Sequence, residues 1–403
     1  MKELVVPFRG ERYAETGGLS RLIAPPYDVI DAAARARFAA LDEHNIVHLM
    51  LPEAPSAGDR YAWAGAQLAS WRRRGVLARD TDPTIYVMAQ GDRLGVFVAL
   101  AAEGYEPRRV RPHEKTHAGP KADRLALLRA TRTNLESIFL LAPDTDGALA
   151  TALAEVAKRK PDATAQLDGV DIRLWVVRGK DLSRFPLPDA PLYIADGHHR
   201  YETACAYAAG NPAADRMLAF IASARDPGLV VLPTHRLIHG TGRRVDAVLP
   251  AWRSGLFDVA PLPVGADPVA YLRELGRDRT ACLVASPDGD VLGLALNPDA
   301  RLDSFPDLGA SPAVRALDVA RIETLVVKPL LRADASTPTL AYTADAREAL
   351  ASAQQGASTA VLLNPTRVEQ VFAVADAGDV MPPKSTYFAP KVPSGVVLRP
   401  SEG

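Results

Sequence analysis

Tyr193-Ile194-Ala195-Asp196-Gly197-His198-His199-Arg200 constrains this chain more than any other stretch. An apolar strand ends in a glycine turn, and a helix, Tyr201 to Ala209, starts at once and stops at Gly210-Asn211-Pro212. Such a junction aims unsatisfied backbone N–H groups and the positive end of the helix dipole at one point. Both effects favour an anion there, and Gly197 lets it come close to the backbone. His198, His199 and Arg200 add side-chain donors. The same residues also suit a helix N-terminus capped by Asp196 with two exposed histidines. Adjacent histidines point in different directions on a helix, which favours a phosphate cradle over a metal site built from both.

The rest of the chain alternates strand-like and helix-like stretches. Tyr61, Ala64, Leu68 and Trp71 mark one apolar face of a helix over 59–74, with Gly75 as its stop. Thr84–Met88 and Gly95–Leu100 read as a hairpin around Gly91-Asp92. Helices are predicted over 123–141, 147–160 and 313–331, and from Pro365 onward. Strands are predicted at 172–177, 192–195, 217–223, 281–285, 291–296 and 359–363. This mixture indicates an α/β (mixed α+β) fold with a mixed sheet. A length of 403 residues allows two or three domains. Breaks near Ala78–Pro83, Arg178–Pro191 and Gly240–Arg244 suggest segments 1–80, 81–240 and 241–403.

Composition removes several classes. Lys+Arg at 47 against Asp+Glu at 48 gives a formal charge of −1, so the chain has no basic excess for coating a phosphate backbone, and no nucleic-acid partner is expected. Cys205 and Cys282 are too few for a disulfide framework and form no CxxC pair. No signal-peptide h-region and no uninterrupted run of 18 apolar residues occurs, so a soluble cytoplasmic protein without a membrane partner is expected.

Other segments also concentrate polar chemistry. Arg111 to Arg124 holds His113, Glu114, Lys115, His117, Lys121 and Arg124 just before a helix. A carboxylate among cations stays ionised and can accept a proton from a hydroxyl, although a solvated charge cluster would look the same. Met381 to Lys391 is proline-fixed and offers Lys384, Ser385, Thr386 and Lys391 to a phosphate or carboxylate, or else straps a tail across another domain. Ala24-Pro25-Pro26-Tyr27-Asp28-Val29-Ile30 is similarly rigid and polar-tipped, and Leu232-Pro233-Thr234-His235-Arg236 is a further His/Arg group.

Taken together, APPYDVI at 24–30, PHEKT at 112–116, the KxDRL run at 121–125, YIADGHHRYETA at 193–204, LPTHR at 232–236 and MPPKSTYFxPK at 381–391 resemble the family called domain of unknown function 1015. More distantly, DGHHR after a strand is similar to the signature of the ParB/sulfiredoxin-like superfamily, especially its free-serine kinases, in which a Pro-His-Glu segment precedes it. The resemblance implies a ParB/sulfiredoxin-like nucleotide-binding core with large additional α/β segments. It implies Glu114 as the catalytic base, with Asp196 and His198 beside it at the reacting centre. Gly197, His198, His199, Arg200 and Thr203 would hold the phosphates of ATP or ADP, and Asp196 would position Mg²⁺. His113, Lys115, Lys121, Lys384, Ser385 and Thr386 would contact the substrate, with Arg124 as a bidentate fork for its carboxylate. The spacing of 82 residues from Glu114 to Asp196 exceeds that of the compact kinases and implies an insertion. Sulfiredoxins carry cysteine where this chain has His198, so thiol repair is not expected, and the helix-turn-helix unit of ParB proteins is missing.

Two functions follow. One is a phosphotransferase that moves a nucleotide's terminal phosphate to the hydroxyl of a small amino acid, most simply serine. The other is a nucleotide-binding regulatory switch without small-molecule chemistry. A hydrolase using His198 and His199 as metal ligands ranks lower, because the sequence singles out no third ligand.

Overall fold

The computed structural model describes residues 2–54, 58–240, 244–333 and 337–402. The chain divides into two units, residues 1–230 with 390–403, and residues 231–389.

The first unit is built on a mixed nine-stranded sheet. Its strands are β1 (Val5–Val6), β2 (Ile85–Gln90), β3 (Arg93–Ala101), β4 (Val110–Arg111), β5 (Ile138–Ala142), β6 (Ala163–Leu167), β7 (Val170–Val177), β8 (Leu192–Asp196) and β9 (Arg216–Ser223). Their spatial order is β4-β8-β5-β9-β3-β2-β7-β6, with β1 paired to β3. The β4–β8 and β5–β9 pairs are parallel and the others antiparallel. The central strands are apolar and buried without alternation, as strands covered on both faces should be. Val87, Val98, Leu140, Trp175, Ile194 and Ile221 belong to the resulting core.

Helices α1 (Arg60–Arg73), α2 (Ala118–Thr131), α3 (Ala148–Ala157) and α4 (His198–Gly210) are the longest of this unit. Buried Ala64, Leu68 and Trp71 form the inner face of α1, as their spacing predicts. The hairpin of β2 and β3 also forms around Gly91-Asp92. The helix expected over 123–141 is shorter. It ends at Thr131, Arg132 turns left-handed at φ 50°, and Ile138–Ala142 becomes the buried strand β5. Periodicity cannot separate a short apolar strand from a continuing helix, and burial on both faces decides the outcome.

The second unit carries an antiparallel six-stranded sheet of β10 (His235–His239), β11 (Phe257–Pro261), β12 (Ala281–Ala285), β13 (Val291–Leu296), β14 (Thr339–Thr343) and β15 (Ser358–Leu363). Its order is β11-β13-β12-β15-β10-β14. Helices α5 (Arg244–Arg253), α6 (Pro268–Leu275), α7 (Ala346–Gln354) and α8 (Val368–Asp376) accompany it. Leu272 of α6 and Ala349 and Ala353 of α7 join Leu237, Leu283 and Leu362 of the sheet in one core. The helix expected over 313–331 is instead a series of short turns, Pro312–Arg315, Asp318–Ile322, a π-helical Glu323–Val327, and Lys328–Arg332.

The division differs from the three segments read from the sequence. Residues 1–80 are no separate body, because Val5 and Val6 pair with Leu100 and Ala99 in the main sheet. The last residues, from Pro390, return to the first unit. Thr241 to Arg243, inside one expected boundary, lie outside the described residues. Among the described residues no helix is long and apolar enough to cross a membrane.

Candidate active site

At the end of β8 the pairing with β5 slips between Ile194 and Asp196, so that Ala195 is an extra residue and the strand bends there. Gly197 follows at φ 94°, a left-handed conformation that favours glycine. A Cβ at this position would lie 3.1 Å from the Arg200 guanidinium carbon, so its absence also makes room for that side chain. Helix α4 begins at the next residue. The junction therefore delivers Asp196, His198, His199 and Arg200 to one end of the sheet.

Asp196 does not serve as a simple helix cap, since α4 has no side-chain cap bond. Its two carboxylate oxygens pair with Arg200 and with Lys391. Burial alone would raise this acid, but Lys391 and Arg200 override it and hold the carboxyl well below its ordinary range. Arg200 also donates to the Ser137 carbonyl. The segment carrying Lys391 is itself tied down. Gln90 Nε2 donates to the Lys391 carbonyl at 2.9 Å, and the buried Arg93 donates to the Pro390 carbonyl. Asp28 of the 24–30 segment keeps an exposed side chain. Surrounding protein still desolvates it enough to raise its acid, and repulsion from Asp196 adds to this.

The loop before α2 supplies the other half. The His113 amide donates to His198 Nε2 at 3.3 Å, and the two rings meet edge-to-face with centroids 4.7 Å apart. His198 therefore carries its proton on Nδ1, which lies 3.9 Å from Glu114 Oε2. The His117 amide donates to His199 Nε2 at 2.9 Å. Glu202, one turn further along α4, accepts from Thr116 Oγ1 at 2.7 Å and Lys121 Nζ at 2.8 Å. Lys115 is exposed and makes no ion pair among the described residues.

The structure thus brings His113, Glu114, Lys115, Lys121, Asp196, Gly197, His198, His199 and Arg200 into one neighbourhood. Other expected residues are placed differently. Arg124 cannot act as a free carboxylate fork: Nε and Nη2 both bond Asp123 Oδ2, and Nη1 donates to the Met50 carbonyl at 2.9 Å. Its guanidinium also stacks 4.2 Å from the Tyr27 ring centroid. Thr203 is buried beyond the first turn of α4, beside Arg124, Glu136 and Arg200 around a small cavity of about 50 Å³. Its hydroxyl faces the Lys121 carbonyl of α2 at 3.5 Å, so it packs between the two helices. Lys384, Ser385 and Thr386 belong to the second unit, where the Ser385 hydroxyl donates to the Pro382 carbonyl. Among the described residues no three His, Cys, Asp and Glu side chains form a metal site. With both Asp196 oxygens taken by cations, these residues do not fit a magnesium ion held by the protein.

Sequence reasoning missed Asp28, Glu136, Glu202 and the pairing of Lys391 with Asp196. Asp28 and Lys391 stand inside segments already singled out. The signal available for them was charge balance, because a buried carboxylate must find cations.

The histidines make stability pH-dependent. Burial pushes His113 down from 6.5 to about 4, and burial with repulsion from His113 lowers His198 well below its ordinary value. Both are neutral when folded, so between pH 6.5 and 4 the unfolded chain binds more protons and stability falls with pH. For His113 the loss at pH 5 is about 2 kcal/mol. His113→Gln should therefore lose about 2 kcal/mol less than wild type between pH 7 and 5 in urea unfolding. Equal losses would show that His113 titrates normally in the fold.

Against known proteins, the family model described as "Protein of unknown function (DUF1015)" matches residues 5–320. The chain belongs to that family. No curated protein matches. Among solved structures, the chain is similar to a conserved hypothetical protein from Pyrococcus furiosus, with a TM-score of 0.36 and 14% identity over 74% of this chain and 93% of that one. It is also similar to a free serine kinase in complex with AMP, with a TM-score of 0.38 and 14% identity over 75% and 88% of the two chains. A third is SbnI with C-terminal truncation from Staphylococcus aureus, with a TM-score of 0.39 and 8% identity over 76% and 88%.

Proposed function

We propose that this protein is a nucleotide-dependent small-molecule kinase that phosphorylates the hydroxyl of a free amino acid, most simply serine. The reading rests on the PHE and DGHHR motifs and on one observation. Those motifs lie 82 residues apart in sequence, yet Glu114 Oε2 stands 3.9 Å from His198 Nδ1. Glu114 takes the hydroxyl proton, and the freed oxygen attacks the terminal phosphorus of ATP or ADP. The bond from that phosphorus to its bridging oxygen breaks, and the nucleotide leaves one phosphate shorter. Placement and charge neutralisation dominate such a transfer. The N–H groups in the first turn of α4 suit the phosphates, and exposed Lys115 suits the charge on the transferred group. Arg200 and Lys391, both paired with Asp196, shape the wall of the site.

The test is incubation with Mg²⁺ and either ATP or ADP against a panel of hydroxylated amino acids, followed by phosphorus NMR. A phosphomonoester forming with one acceptor is expected. Nucleotide binding without any phosphoester would transfer the site to the switch reading, and absence of nucleotide binding would remove both.

A further inference from the structure

The second unit contains a cavity lined by several arginines. Its volume is about 870 Å³, inside the roughly 300–1,000 Å³ range of small-molecule pockets. Leu272 of α6 and Leu362 and Leu363 of β15 contribute apolar side chains, and arginines are the most numerous charged residues described in its lining. Among the described residues, five arginines line the cavity against three carboxylates, Glu274, Asp278 and Asp318. Two arginines have acidic partners, Arg277 with Glu274 and Arg279 with Asp258. Arg273, Arg321 and Arg367 have no carboxylate within ion-pair distance among the described residues.

Arg321 is the most firmly held of these. Its Nη1 donates to Thr280 Oγ1 at 2.9 Å and its Nε to the Arg315 carbonyl at 2.9 Å. Both acceptors are neutral, so the guanidinium is fixed in place without a direct ion pair among the described residues. Thr280 is buried, and its own hydroxyl donates to Asp318 Oδ1 at 2.6 Å, which anchors the arrangement and engages that carboxylate. His235 gives a second, independent sign. It lines the same cavity at 3% exposure, and its Nδ1 accepts from the Leu363 amide at 3.2 Å. The ring proton is therefore on Nε2, a buried donor without a partner among the described residues. Burial, with help from Arg236, keeps this imidazole neutral at physiological pH.

We propose that the second unit binds an organic oxyanion, an apolar body bearing a carboxylate or phosphate group, with Arg321 pairing the charge and Arg273 and Arg367 reinforcing it. His235 Nε2–H supplies a donor for a further acceptor atom. The proposal does not rest on the kinase reading, since all these residues belong to the second unit.

The experiment is calorimetric titration of the full-length protein with hexanoate and hexyl phosphate, using hexanol and inorganic phosphate as controls lacking the charge or the apolar body. At least one of the two amphiphilic anions should bind ten-fold or more tightly than either control. Arg321→Gln should weaken that binding about ten-fold or more, the loss expected when a charged hydrogen bond is removed. Glu114→Gln should leave it unchanged, which separates this site from the one in the first unit. Should Arg321→Gln fold poorly, the double variant Arg273→Ala with Arg367→Ala, both at exposed positions, should weaken binding several-fold. No binding by either anion, hexanol binding equally well, or binding indifferent to these arginines would overturn the proposal.

Discussion

Glu114→Gln is expected to reduce turnover by about 10²–10⁴-fold while nucleotide affinity stays within about two-fold of wild type. The glutamine keeps the shape of the side chain and removes the basic oxygen that would take the acceptor's proton. The loss belongs in kcat, because the missing interaction is made only as the hydroxyl is deprotonated. The half-buried position of Glu114 makes an effect on folding small, and an unchanged unfolding midpoint would confirm that the protein remains intact. His198→Gln gives the contrasting result. It removes the Nδ1–H group that faces Glu114 and the Nε2 acceptor of the His113 amide, so activity should fall together with the order of the 112–117 loop. A Glu114→Gln enzyme with turnover within about three-fold of wild type would eliminate Glu114 as the base.

Local chemistry made the junction at 193–204 legible. An apolar strand, a glycine and a helix follow each other without a gap, and each element is specified by its own residues. The hairpin of β2 and β3 and the face of α1 were readable for the same reason. The helix expected over 123–141 failed where Leu135 to Leu141 could serve either period, and only the buried position between β8 and β9 makes it a strand. The site was legible wherever a single segment holds it, as in Pro112–Glu114 and Asp196–Arg200. It was not legible where topology closes it. Lys391 reaches Asp196 only because the chain returns to the first unit at Pro390. Arg124 looks like a free cation in sequence, and its commitment to Asp123 and Met50 exists only in three dimensions.

That closure carries the second large effect. Asp196→Asn should destabilise the first unit by about 3–5 kcal/mol, the usual cost of removing one member of a buried ion pair. Asparagine preserves the shape but leaves Lys391 and Arg200, with side chains 13% and 10% exposed, facing a neutral amide. The carboxyl of Asp196 lies well below its ordinary value, so its contribution is complete above pH 4 and is lost only as pH falls toward the depressed value. Measurements at pH 7 therefore read the whole effect, as a lower urea midpoint with an unchanged slope. Removing Lys391 as well should restore part of the loss. In Asp196→Asn with Lys391→Met one of the two cations facing the amide is gone, while Arg200 keeps the Ser137 carbonyl and the attraction of Glu136. A single variant within about 1 kcal/mol of wild type would mean that solvent already screens the pair. The role of Asp196 would then lie in contact with a ligand instead of in holding Lys391 and Arg200 at the wall of the site.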